Sequence, residues 1–448
     1  MRGLRELLGL SGSVLVGQLA VIGFGVADTV MLGRFSTADD LATLALGQAI
    51  YITLFVSLSG VTQALLPTLG RAHGAGSAPA VGSAFRQGLW LCAGLSVPGI
   101  AALLWPQPLL AVTGQAHEAG VDRYLQILAL GLPAALAFRA HAALGQAVSK
   151  PLLIAAAQIA GLLLKIVLNL AVLRPDLFGL RGHAGLGASG CATATVLTQW
   201  GLLALAAWQH RRGGALARFE ALRRWERPAW AMQAHLLRLG GPTGLSLLVE
   251  VSAFTFMALF IARLGNTVLA GHQIAANFAT VLYMLPLSVA IATGSLVAQH
   301  LGAGQRAAAR HTAWSGVGIA ASLAVAVGIL VWTGRAALIG WYTADPAVQE
   351  VAGRLFLFIA LYQLADAVQS SCAFVLRSYH VAVLPGILYA LALWGVGLGG
   401  GYLLAFDVLG ISPASLQGAA GFWMGNTAGL ALAASAFALL LWRVARRD

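Results

Sequence analysis

The chain has 448 residues, of which 59% are hydrophobic and only 9% charged, with a formal net charge of +12. Soluble domains carry about 25% charged residues, so this chain cannot cover a water-facing surface and reads as an integral membrane protein. Its mean hydropathy is +0.82, and apolar stretches recur at about 20 residues, enough for a helix to cross about 30 Å of hydrocarbon, whereas a β-barrel would alternate in segments of about 10.

Twelve helices are predicted, near 10–32, 44–69, 88–111, 121–145, 152–174, 185–209, 239–263, 272–298, 313–339, 352–376, 383–406 and 418–442. The first is too long for a signal-peptide core and no cleavage site follows it, so it is expected to remain as span 1. Span 1 contains Asp28, and span 5 contains Lys165 and Asn169, one turn apart on one face. A basic link over 210–238 follows span 6. Span 7 carries Glu250 inside SLLVEVSAFTFMALF, span 8 carries Asn277, and span 10 carries Tyr362 one turn before Asp366. The three cysteines, Cys92, Cys191 and Cys372, lie in or beside apolar spans at spacings that suggest neither a metal site nor a disulfide framework.

The chain also repeats itself. LATLALGQAI begins at Leu41 and leads to a GAG at Gly74–Gly76; LAGHQIAANF begins at Leu269 and leads to a GAG at Gly302–Gly304. The separation is 33 residues in both. Six spans per half make this a parallel repeat about an axis along the membrane normal. The expected organisation is an all-α membrane protein of two six-helix bundles: an N-lobe over 1–209, a cytoplasmic linker over 210–238 and a C-lobe over 239–448. Two bundles around a cleft suit alternating access.

Basic residues set the orientation. With twelve spans, both termini share a side with Arg71, Arg86, Lys150, the seven arginines from Arg211 to Arg238, Arg306, Arg310 and Arg377. The other side holds most of the acids, including Asp39, Asp40, Asp345 and Glu350. The positive-inside rule therefore puts both termini in the cytoplasm, and anionic lipid accounts for the positive charge without a nucleic-acid partner.

Asp28, Glu250 and Asp366 fall inside spans, where an acid costs about 2.5–3.5 kcal/mol on insertion scales. Such groups avoid lipid, and a carboxylate whose burial opposes its charge can exchange a proton or an alkali cation as its surroundings change. Carboxylate, amide and phenol oxygens are hard ligands suited to that task. Arg139 and Lys165 are both placed to snorkel to an interface; Lys165, nearer mid-span, is equally placed to pair with Asp28, and the sequence leaves the two open.

Four stretches resemble one family in combination: GQLAVIGFGVADTVMLGR, GLSLLVEVSAF, LAGHQIAANF with MLPLSVAIATGSLVAQHLGAG, and LYQLADAVQSSCAFVLRSY. They look like multidrug and toxic compound extrusion transporters, nearest the bacterial NorM-type branch. The resemblance spans all twelve helices and implies two six-helix lobes in a V shape that export cationic or amphipathic compounds in exchange for Na⁺ or H⁺. Carried over by position, it implies an ion-coupling set of Glu250, Asp366, Tyr362 and Asn277, with Glu250 and Asp366 as the metal ligands if Na⁺ is the coupling ion. In the N-lobe it implies a substrate or ion site at Asp28 and Asn169. Relatives often carry a second asparagine one turn earlier, where this chain has Lys165; a lysine there forms an ion pair with Asp28 or competes with a cation, which favours coupling through the C-lobe.

The expected function is thus secondary active efflux of small organic cations from the bacterial inner membrane, by a monomer with membrane lipid as its surroundings and no cofactor beyond the coupling ion. The alternative is a flippase for a lipid or lipid-linked sugar with related two-lobe architecture. An enzyme is not expected: there is no HExxH, no GxSxG and no metal-ligand cluster among the ten histidines.

Overall fold

The computed structural model describes residues 2–108, 119–178, 185–211, 216–222 and 225–447. The end of the third predicted span (109–111) and linker residues Arg212, Arg223 and Arg224 lie outside them. Among the described residues there is no strand. Eleven helices are long and apolar enough to cross a membrane, and a bent pair makes a twelfth. In the first half these are α1 (Arg2–Phe35), α2 (Ala38–Gly74), α3 (Ala78–Leu104), α4 (Ala119–Ala129 with Leu132–Ala147), α5 (Pro151–Leu173) and α6 (Gly187–Arg211). In the second half they are α7 (Trp230–Ala262), α8 (Asn266–Gly302), α9 (Arg306–Gly340), α10 (Pro346–Ser378), α11 (Val383–Ala405) and α12 (Ala419–Arg447). Every predicted span has its helix, so the all-α membrane fold stands.

Two helices depart from the regular spans expected. α4 bends by 48° between its arms. Pro133, two residues after Gly131 at the joint, has no amide hydrogen to donate and its ring crowds the carbonyl four residues back. In α11 the backbone widens to π-helical turns over Leu391–Gly400. That stretch packs on α12 through glycines: a Cβ on Gly429 would lie 2.5 Å from the Ala392 carbonyl oxygen.

The duplication is visible in the helix ends. Gly76 ends the α2 turn with φ +73, and Gly304 ends the α8 turn with φ +73. In each, an amide reaches back five residues, Ser77 to the Ala72 carbonyl (3.2 Å) and Gln305 to the His300 carbonyl (2.8 Å), as left-handed helix caps do. α4 and α10 close alike, on the left-handed residues Ser149 (φ 57) and His380 (φ 61). Lys150 then bonds the Gly145 carbonyl and Val381 the Leu376 carbonyl. A non-glycine residue rarely adopts this conformation, so its recurrence at matched helix ends marks two copies of one unit.

Packing divides the chain into two compact units, Val16–Gly244 and Leu245–Asp448 with Met1–Leu15. The long helices α1 and α7 each contribute to both. Within the first unit, the glycines of α7 dock on α2: a Cβ at Gly240 would sit 2.0 Å from the Val61 carbonyl oxygen. Within the second, Leu7 of α1 packs against Ala292 and Leu296 of α8.

The described part of the 210–238 link is bound to the first unit. Glu226 pairs with Arg86 and accepts from the Ser83 hydroxyl at 2.7 Å, while the Trp90 indole donates to the Glu226 carbonyl at 2.8 Å. Gln87 donates to the Arg227 carbonyl and accepts from the Ala229 amide. The Arg86 and Ser83 bonds hold the Glu226 carboxyl below its usual range. A depressed carboxyl stabilises the folded arrangement above the unfolded value and loses that contribution as pH falls through the folded one. Hydrogen exchange over 216–229 should therefore lose protection on acidification, and Glu226→Gln should reproduce the loss at neutral pH. The effect is small, under about 1 kcal/mol, because the pair is partly exposed. Unchanged protection in Glu226→Gln would show that the latch does not rest on this carboxylate.

Candidate functional site

In the first unit, α1 and α5 bring a buried acid against a buried base. Asp28, Lys165 and Asn169 are 4%, 1% and 0% exposed. The Lys165 Nζ is 2.9 Å from Asp28 Oδ1, and the Asn169 amide donates to the same oxygen at 2.8 Å. Lys165 also donates to the Thr195 hydroxyl on α6, which itself donates to the Cys191 carbonyl at 2.8 Å. The spacing of Lys165 and Asn169, one helical turn, is what lets both reach one carboxylate. Asn169 Oδ1 is buried without a hydrogen-bond partner. The ion pair is therefore complete in itself: the acid already holds a cation.

Arg139, on the second arm of α4, lies over the Phe55 ring at 5.3 Å.

In the second unit, α7, α8, α10 and α11 converge on a different set. Glu250 of α7 is half-buried, and the Tyr389 hydroxyl of α11 lies beside its carboxyl. Asp366 of α10 is buried and within electrostatic reach of Glu250. Tyr283 of α8, Tyr362 of α10 and Tyr389 all lie within electrostatic reach of both acids. One wall is aromatic: Phe254, one turn beyond Glu250, meets Tyr362 and Trp423 edge-on at centroid distances of 6.1 and 6.4 Å. The Trp423 indole donates to His272 Nδ1 at 3.2 Å, which fixes that wall. α11 is tied to α7 beside the acid, because the Trp394 indole donates to the Val249 carbonyl at 3.1 Å.

Among the described residues no lysine or arginine is ion-paired with Glu250 or Asp366. Two carboxyls and three phenols in low-dielectric surroundings repel a second negative charge and favour an added proton or hard cation. The two units therefore differ in kind. The α2 and α8 ends at Gly76 and Gly304 align Glu250 with Ile22, and the α4 and α10 ends at Ser149 and His380 align Asp366 with Ala135, so the duplication did not copy the acids.

Of the residues singled out from sequence, Glu250, Asp366 and Tyr362 gather in one cluster and Asp28, Lys165 and Asn169 in the other. Asn277 joins neither: it is exposed on α8 and hydrogen-bonds to no acid. Tyr283 and Tyr389 were missed. Their only sequence signal is a lone phenol in an otherwise apolar run, TVLYMLPL and GILYALAL.

Comparison with known proteins agrees with this architecture. A family model described as MatE matches the chain twice, over residues 14–171 and 242–403, one match per half. The probable multidrug resistance protein NorM of Aromatoleum aromaticum is 39% identical, over 97% of this chain and 93% of that protein. The multidrug resistance protein PmpM of Pseudomonas aeruginosa is 36% identical, over 99% and 92%. Among solved structures, the eukaryotic MATE transporter AtDTX14 superposes with a TM-score of 0.85 at 20% identity, covering 100% of this chain and 98% of that one. The Vibrio cholerae MATE transporter VcmN in its bent form gives 0.80 at 18% identity, over 99% and 97%. These structures share the fold, and the sequence relatives share the family over nearly their whole length. The chain belongs to the MatE family, in its bacterial NorM-type branch.

Proposed function

We propose that the protein is a multidrug exporter of the bacterial inner membrane that exchanges cationic or amphipathic organic compounds for Na⁺ or H⁺. The relatives named as multidrug resistance proteins support the substrate class, and the arginine distribution supports cytoplasmic termini. The observation that carries the coupling is the Glu250–Asp366 cluster: two acids in membrane helices, ringed by phenols, with no cation of their own. From outside, an incoming Na⁺ or H⁺ neutralises Glu250 and Asp366. The repulsion between them disappears, and α7, α10 and α11 repack around a neutral site. The organic cation loses its counter-charge and leaves outward, and the emptied carrier returns to take substrate from the cytoplasm. One charge moving inward across 100 mV supplies about 2.3 kcal/mol, enough for a substantial outward gradient of drug.

The Asp28–Lys165 pair has a different part. Its acid is already neutralised, so it binds no coupling ion while the pair is closed. The N-lobe acid is available to a cationic substrate only after Lys165 swings away.

Ethidium efflux from vesicles under separately imposed Na⁺ and H⁺ gradients tests this reading. Uphill efflux should depend on one gradient and stop when it is collapsed. Efflux that ignores both gradients would remove coupled antiport.

A further inference from the structure

The aromatic wall beside Glu250 and Asp366 hangs on one histidine. His272 of α8 and Trp423 of α12 are 1% and 0% exposed. An indole nitrogen can only donate, so the His272 Nδ1 that faces it must accept, and the imidazole is neutral with its hydrogen on Nε2. Trp423 meets the Tyr362 ring edge-on at a centroid distance of 6.0 Å, and Phe254 completes a triangle with both. Tyr362 lies one turn from Asp366 on α10, and Phe254 lies one turn from Glu250 on α7. The two rings that Trp423 braces therefore each stand next to an acid. Direct contacts run from α8 through α12 to the residues beside both carboxyls. In the first half the place of His272 is taken by Leu44, which is buried and apolar, so the polar anchor accompanies the half that holds Glu250 and Asp366. Without the imidazole, the indole N–H would be buried with no acceptor, a cost that turns the ring away to find one.

Resting on the export reading above, we propose that His272 is a positioning residue of the coupling site: by holding the Trp423 indole it fixes the Tyr362 and Phe254 rings beside Asp366 and Glu250, and so sets the affinity of those acids for the coupling ion. His272 acts through Trp423 and not on the ion itself. It limits the positions open to the Tyr362 phenol, which shares a helix face with Asp366. A ligand group already held in place loses less freedom when the ion arrives, and that saving appears as affinity.

Three variants separate the hydrogen bond from packing alone. His272→Leu removes the acceptor, Trp423→Phe keeps a buried ring and removes the donor, and His272→Asn offers an amide oxygen close to the place of Nδ1. Binding of Na⁺, and separately of H⁺, to the purified full-length protein is followed by calorimetry, and ethidium efflux from proteoliposomes is titrated with the same ions. His272→Leu and Trp423→Phe should each weaken binding of the coupling ion, and raise the concentration giving half-maximal efflux, by about tenfold, the size of one lost buried hydrogen bond. The variant carrying both should lose no more than either alone, and His272→Asn should recover most of the affinity. A lower maximal rate with unchanged half-saturation, or losses that add, would make the pair a packing contact only and overturn the proposal. Trp423→Phe decides the question if His272→Leu does not fold. If ion binding in wild type and variants follows this pattern yet ethidium efflux ignores both gradients, the export reading fails while the positioning role stands.

Discussion

Glu250→Gln should abolish uphill ethidium efflux, reducing it to the rate of empty vesicles, while the purified variant keeps the wild-type Tm. The substitution is nearly isosteric, and a glutamine carbonyl can still face the Tyr389 hydroxyl that lies beside the Glu250 carboxyl. What it removes is the change of charge on which coupling depends. Asp366→Asn should behave alike, since that carboxyl is buried within reach of Glu250. The pair is expected to be non-additive: once either acid is fixed neutral, the second loses the repulsion that made its occupancy responsive. Normal efflux by both single variants would sink the assignment. A loss accompanied by a large drop in Tm would instead point to a structural role.

The second large effect falls on stability. Asp28→Asn should destabilise the protein by about 3–5 kcal/mol, the cost of breaking a buried ion pair from one side. It strands the Lys165 ammonium, 1% exposed and 2.9 Å from the lost charge. Deprotonation of the lysine can relieve part of this. Lys165→Met should cost less, because Asp28 can take a proton and keep its bond from Asn169. The double variant Asp28→Asn with Lys165→Met should recover most of the single-variant loss, since a buried pair replaced by neutral groups is often close to neutral overall. Thermal and denaturant unfolding in detergent give the cycle. Additive losses would mean that the two side chains do not act as a pair.

Much of this was legible in the sequence for a physical reason: the bilayer demands about 20 apolar residues per span and makes every intramembrane charge conspicuous. Asp28 and Lys165 stood out as opposite charges in the same half, and Glu250 and Asp366 as acids in one half without a base. What the sequence hid was the direction in which uniformly apolar helices face. Nothing in GILYALAL says that Tyr389 turns towards Glu250, and nothing in the span of α8 says that Tyr283 turns inward while Asn277 stays exposed. A helix apolar on all sides has no periodicity from which to read its rotation. The π-helical stretch of α11 was hidden likewise, because it depends on glycine contacts with α12. Arg377 was counted as a surface charge from its place at a helix end, and only packing shows that it is buried.

The central claim is that Glu250 and Asp366 hold the coupling ion and release it when a cationic substrate takes their charge. It is tested most directly by adding ethidium to the purified protein in weakly buffered detergent solution and recording the H⁺ and Na⁺ released. The wild type should release one of these ions as ethidium binds, and the protein carrying both Glu250→Gln and Asp366→Asn should release none. Equal release from wild type and double variant would contradict the account.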